Sequence, residues 1–137
     1  MTAPQPGDQP SGQPGSIIGL VGHGVTGGRV AAHLGSRRVR VAVYDPSPTI
    51  SARGASTVRV ESAMDLASCD VVVLCQPAPH LELVQQLLAA GTSVVSISDD
   101  LDDLTALLDL HDAAIGGDAA LVLGAGMSPG LSGLLAA

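Results

Sequence analysis

The sequence has no lysine, no phenylalanine and no tryptophan, and Tyr44 is its one residue of the Phe, Trp and Tyr class. Without lysine the chain has no amine side chain for Schiff-base chemistry. Without aromatic platforms it cannot bind nucleic acid by stacking on exposed bases. Charge is also scarce: 14% of the 137 residues are charged, against about 25% in an average soluble domain. Long apolar runs are missing, none approaching the roughly 20 residues needed to cross a bilayer, and the N-terminus shows neither the basic nor the apolar region of a signal peptide. The cytoplasm is therefore the expected location, with no membrane partner. Cys69 and Cys75 stand six residues apart, a spacing that fits neither a C-x-x-C redox pair nor a zinc knuckle. Both are expected to be small buried residues.

What is present is apolar and unevenly charged. Hydrophobic residues make up 46% of the chain and the net charge is −7. The six basic residues are all arginines, between Arg29 and Arg59, where only Asp8 and Asp45 accompany them up to that point. From Val60 onward there are eleven acids and no basic residue. Such an acidic half repels a polyphosphate backbone, which makes nucleic acid a poor candidate partner, and none is expected.

Residues 1–15 hold Pro4, Pro6, Pro10 and Pro14 among Gly, Gln and Asp, the composition of a disordered leader. Residues 16–137 form one domain-sized segment. Short aliphatic runs at Ile17–Val21, Val39–Tyr44, Val71–Leu74, Val94–Ile97 and Ala119–Leu123, with a weaker one at Thr57–Val60, are continuous rather than alternating. That is the pattern of strands covered on both faces of a parallel sheet. Helical patterns lie between them at Val25–Leu34, Ser62–Ser68, Pro79–Ala90 and Leu101–Ala114. Pro79 and Gly91 are read as the start and stop of the third helix, and Asp100 as the cap of the fourth. The expected fold is α/β, a doubly wound parallel sheet of about six strands, of the Rossmann type.

The first strand runs into Gly22-His23-Gly24-Val25-Thr26-Gly27 and on into the first helix. In a G-x-G-x-x-G loop the first glycine makes the turn, the second lets backbone approach a pyrophosphate, and the third lets helix and strand pack closely. Asp45 ends the second strand 18 residues beyond Gly27, near the spacing of about 20 at which a carboxylate meets the ribose hydroxyls of NAD. NAD is the expected cofactor. NADP is the alternative, with Arg53 reaching a 2′-phosphate, and Asp45 also reads as a plain turn residue before Pro46. His23 reads as a filler of the loop. His33, His80 and His111 lack a second ligand at i+3 or i+4 and are expected at the surface or boundary, so no metal site is expected. Asp99, Asp100, Asp102 and Asp103 read as the negative charge that a helix N-terminus favours. The sixth strand is followed by Gly124-Ala125-Gly126-Met127-Ser128-Pro129-Gly130, either a second helix N-terminus facing the ligand edge or an ordinary turn.

The Gly22, Gly24 and Gly27 loop, the strand end Leu74-Cys75-Gln76-Pro77 and the segment Gly124 to Gly130 together resemble the cofactor domain of saccharopine dehydrogenase-like and dihydrodipicolinate reductase-like oxidoreductases. The resemblance spans 16–137. It implies that Gly22, His23, Gly24, Val25, Thr26 and Gly27 cradle the pyrophosphate and that Asp45 holds the adenosine ribose. It further implies that Gln76 and Pro77 line the nicotinamide side, while Gly126, Met127 and Ser128 border the reacting ring. The implied reaction is hydride transfer at a carbon bonded to nitrogen in an amino-acid-like substrate. Such enzymes carry their substrate-binding groups on a second domain, which this sequence does not contain. The expected partners are therefore a separate catalytic domain or further copies of the chain, besides the cofactor and a small-molecule substrate. A free-standing NAD(P)-sensing module is the alternative function, and a degenerate fold that binds nothing is a third.

Overall fold

The computed structural model describes residues 16–47 and 56–126. The chain order is β1 (Ile17–Val21), α1 (Val25–Ser36), β2 (Arg40–Tyr44), β3 (Thr57–Arg59), a 3-10 helix (Ala63–Ser68), β4 (Val71–Leu74), α2 (Leu81–Ala89), β5 (Ser93–Ser96), α3 (Leu101–Leu108), α4 (His111–Gly116) and β6 (Leu121–Val122). All strand pairings are parallel, and the spatial order is β3-β2-β1-β4-β5-β6. The chain thus works outward from β1 in one direction, returns past it, and works outward in the other. This is the doubly wound sheet expected from the aliphatic runs, and its direction switches between β1 and β4.

Successive side chains of a strand point to opposite faces, and β1 divides accordingly. Leu20 packs with Val41, Val43 and Ala31 of α1 in one cluster. Its neighbour Val21 belongs to the other, with Leu66, Val72, Leu74, Val84, Leu87, Leu88, Val94, Leu107 and Leu110. Burying so many aliphatic side chains, at about 1.5–3 kcal/mol each, supplies the driving force that aromatic residues supply elsewhere.

Three helical boundaries differ from the sequence pattern. The third helix begins at Leu81 with His80 at its N-cap, so Pro79 lies ahead of the helix rather than in its first turn. The segment Leu101–Ala114 is two helices, broken at Asp109 and Leu110. The break lets both halves pack on α2 while burying Leu107, Leu110 and Ala114. Ser62–Ser68 winds as a 3-10 helix, entered through a reciprocal box in which the Ser62 hydroxyl accepts from backbone and the Asp65 carboxylate accepts from the Ser62 amide. That box satisfies two otherwise unpaired donors.

A buried hydroxyl ties this short helix to the sheet. Thr92, 2% exposed, donates from Oγ1 to the Ala67 carbonyl at 2.7 Å. Thr92→Val keeps the shape but leaves that carbonyl without its partner, so urea unfolding should show a loss of about 1–2 kcal/mol. Thr92→Ser should recover most of it.

Candidate functional site

The carboxyl ends of parallel strands in an open sheet form a ligand edge, and the crevice opens where the winding reverses. Here that crevice lies between β1 and β4, and a cleft of about 410 Å³ occupies it, lined by Gly22, Gly24, Asp45, Pro46, Cys75, Gln76, Pro77 and Pro79. The volume falls within the roughly 300–1,000 Å³ of small-molecule sites. Among the residues singled out in the sequence, Gly22, Gly24, Asp45, Gln76 and Pro77 meet here.

The glycine loop divides its tasks. Gly22 has φ +90°, and a Cβ on it would lie 2.9 Å from the Gln76 amide nitrogen. Two hydrogen bonds fix this corner, from the Gly22 amide to the Tyr44 carbonyl at 2.8 Å and from the Cys75 amide to the Val21 carbonyl at 2.7 Å. Gly27 is buried, and a Cβ there would collide with the Gly22 carbonyl oxygen. Its role is to bring α1 down onto the turn. Gly24, the N-cap of α1, has nothing within 4 Å of where a Cβ would stand. Val25 and Thr26, in the first turn of α1, are exposed.

The N-terminus of α1 differs from every other described helical start. Asp65, Glu82, Asp102, Asp103 and Asp112 place acids in the first turns of the 3-10 helix, α2, α3 and α4. The first turn of α1 has none, and no side chain caps it. Its amide donors and the positive end of its dipole are thus left for an anion from outside the helix.

Asp45, 7% exposed, staples the two loops that flank the cleft. Its Oδ2 accepts from the His23 amide at 2.6 Å and its Oδ1 from the Ser47 amide at 2.8 Å. It is therefore a turn-forming residue before Pro46 and a cleft residue at once. Each carboxylate oxygen has a second lone pair, which suits it to a sugar hydroxyl. Arg59 braces the same turn by donating from Nη2 to the carbonyls of Asp45 and Ser47, at 2.7 and 3.0 Å.

The remaining candidates are distributed differently. Gly126 sits at the same edge but farther along, where a Cβ would meet the Ile97 carbonyl at 2.7 Å, and it does not line the described cleft. Met127, Ser128 and Arg53 lie outside the described residues, as do residues 1–15. Cys69 is buried as expected, whereas Cys75 is half-buried and lines the cleft. Desolvation pushes the Cys75 thiol up to about 11. Among the described residues no group of three or more His, Cys, Asp or Glu could hold a metal ion. No helix among them is long and apolar enough to cross a membrane.

His80 overturns its surface assignment. It is 1% exposed and Asp103 4%, while His33 and His111 are exposed. The His80 ring meets Asp103 Oδ2 through Nδ1 at 2.7 Å and the Gln76 carbonyl through Nε2 at 3.1 Å, and the His80 amide donates to Asp103 Oδ1 at 2.8 Å. The partners are 23 residues apart, so no local spacing announces them; burial decides the difference, since a histidine ring survives burial only when both nitrogens are satisfied. Asp103 is thus a partner of His80 as well as an acid near a helix start. Burial alone would raise its carboxyl, but hydrogen bonds from the His80 ring and backbone, the nearby His80 charge and a bond from Ser98 outweigh burial and hold it below its ordinary value.

No family model matches the chain, and no curated protein does. Solved structures do match. They include homoserine dehydrogenase of S. aureus, at TM-score 0.65 and 18% identity over 79% of this chain and 31% of that one. Biliverdin reductase of Synechocystis, solved with biliverdin and NADP+, matches at TM-score 0.65 and 23% identity over 78% and 37%. The WlbA dehydrogenase of Bordetella pertussis, solved with NADH and UDP-GlcNAcA, matches at TM-score 0.60 and 22% identity over 79% and 34%. The chain spans about a third of the length of these proteins. At such identities the likeness is one of fold, the doubly wound parallel sheet of the Rossmann type.

Because the folded state holds Asp103 below its ordinary value, the pair's contribution to stability is complete above about pH 4, the range of an unfolded aspartate. It fades as pH falls through the lower, folded value. Asp103→Asn should therefore cost about 3 kcal/mol near neutral pH, since the buried His80 ring is left without its carboxylate partner. Denaturant melts of the two proteins should converge as pH drops below about 4.

Proposed function

We propose that this chain is the dinucleotide-binding unit of an oxidoreductase and that its cofactor is NAD, with NADP the alternative. One observation carries the reading: at the point where the sheet's winding reverses, α1 presents an N-terminus with no acid and no cap, behind a glycine whose Cβ position is open. Backbone amides there suit a pyrophosphate, which needs several donors and is repelled by an acid in the helix's own first turn. Gly22 and Gly24, with the first turn of α1 at Val25 and Thr26, would hold the phosphates. Asp45 would take the ribose hydroxyls on its free lone pairs, and a carboxylate at that place repels the 2′-phosphate of NADP. Gln76 and Pro77, across the cleft, would border the nicotinamide half.

When bound, the nicotinamide supplies the hydride chemistry. The chain's own residues bind and orient. Gly27 sets the helix against the turn, Asp45 keeps the glycine loop at a fixed distance from the end of β2, and Pro77 and Pro79 stiffen the opposite wall. We further propose, from the likeness of the Leu74-Cys75-Gln76-Pro77 and Gly124 to Gly130 segments to saccharopine dehydrogenase-like enzymes, that the reacting carbon is bonded to nitrogen in an amino-acid-like substrate. Substrate-binding groups would then come from a second domain or another chain. Gly126, Met127 and Ser128 would border the reacting ring.

The test is binding, followed by nicotinamide fluorescence and thermal shift. NADH at about 100 times its dissociation constant should add roughly 2.7 kcal/mol of stability. Gly24→Ala places a methyl in open space, so the free protein should melt within about 2 °C of wild type, while NADH binds on the order of tenfold more weakly. No stabilisation by NADH or NADPH, or a Gly24→Ala protein that binds as wild type does, would refute the assignment.

A further inference from the structure

We infer that His80 is a positioning residue for the cofactor cleft, and that dinucleotide binding is coupled to retention of a proton on its ring. The inference rests on the dinucleotide reading of the cleft. Both ring nitrogens face oxygens that can only accept: Nδ1 faces Asp103 Oδ2 at 2.7 Å and Nε2 faces the Gln76 carbonyl at 3.1 Å. A carboxylate and a carbonyl cannot donate in return, so only the ring with a proton on each nitrogen satisfies both. Gln76 lines the cleft, and its backbone passes within van der Waals contact of Gly22. The imidazolium therefore links α3, which does not line the cleft, to the wall of the cleft opposite the glycine loop.

The consequences of losing a proton follow from the geometry. The ring would keep Nδ1–H on Asp103, the stronger acceptor, and turn a bare Nε2 lone pair toward the Gln76 carbonyl. Two lone pairs at hydrogen-bond distance repel, and the ring, 1% exposed, has no solvent to turn to in place of the lost bond. The Gln76–Pro77 wall would move relative to Gly22, and the cleft would lose the shape that binds. Asp103 is the charged group against the ring, and the Asp100 carboxylate caps α3 by accepting from the Asp103 amide at 2.8 Å. Asp99, Asp100 and Asp102 before and within α3, Glu82 on α2 and Asp65 on the 3-10 helix are exposed. Cys75, at the end of β4, stays a neutral thiol because its value is pushed up to about 11. His23, on the glycine loop, is the other imidazole beside the cleft, and the test separates it.

The experiment uses the full chain with isotope-labelled histidine, following the His80 ring by NMR from about pH 5 to 9, with and without saturating NADH. His80→Gln serves to assign the signal. Coupling is reciprocal: if the protonated ring favours binding about tenfold, NADH must raise the His80 midpoint by about one unit. NADH affinity by fluorescence should fall about tenfold as the free protein's ring deprotonates, and His80→Gln should flatten that dependence. NADH binding with an unmoved His80 midpoint would overturn this inference and leave the dinucleotide reading intact; a pH dependence arising at His23 would show itself in that way. Absence of NADH binding at every pH would overturn both. The wild-type midpoints decide the matter even if the variant does not fold.

Discussion

The cleft depends on a contact between two pieces of backbone. Gly27 on α1 rests so close to the Gly22 carbonyl that no side chain fits between them, and Gly22 in turn lies against the amide of Gln76. Three elements, α1 and the ends of β1 and β4, are thereby set at distances that only main-chain atoms allow. The reversal of winding at this place opens a crevice in any doubly wound sheet. What the glycines add is a floor of amides, because a helix drawn this near its preceding strand points its first N–H groups into that crevice.

Charge distribution agrees with the backbone. The acidic half of the sequence supplies a carboxylate to the first turn of each later helical element, which neutralises four N-termini internally. The basic segment from Arg29 to Arg59 supplies none to α1. The one carboxylate that does come near, Asp45, is itself engaged by the His23 and Ser47 amides. An anion approaching α1 meets amide donors, while a hydroxyl approaching Asp45 meets acceptors. The two ends of a ribose-pyrophosphate unit ask for that difference.

The strands were legible because β-branched and aliphatic runs covered on two faces have little else to become: Ile17–Val21 and Val71–Leu74 match residue for residue. The glycine loop was legible because its spacing encodes a local geometry. Helix ends were less so. Pro79 carries the signal of a first turn, yet the chain needs His80 at the N-cap, where its amide and ring both reach Asp103. The tertiary pair overrides the local preference. Likewise Leu101–Ala114 reads as one apolar period, but the break at Asp109 and Leu110 lets two shorter helices both pack on α2 and bury Leu107, Leu110 and Ala114. The His80–Asp103 pair left no trace in spacing, since its members belong to different crossovers and meet only when α2 and α3 pack.

That pair also bears on how the labour of a reaction is divided. A histidine beside such a cleft invites the role of general acid, but a proton donor must reach the reacting atom. Both nitrogens of His80 are committed to protein oxygens and the ring is sealed from solvent. Cys75, the thiol that does line the cleft, is held protonated by desolvation, with its value near 11, and so is a poor nucleophile at neutral pH. Asp45 is committed to two amides. Asp45 and His80 are thus spent on holding the walls of the described cleft at fixed separation. A rigid site built this way lowers the ordering cost of binding an extended, flexible ligand, which is the contribution a cofactor-binding unit makes to a reaction whose electrons come from the cofactor.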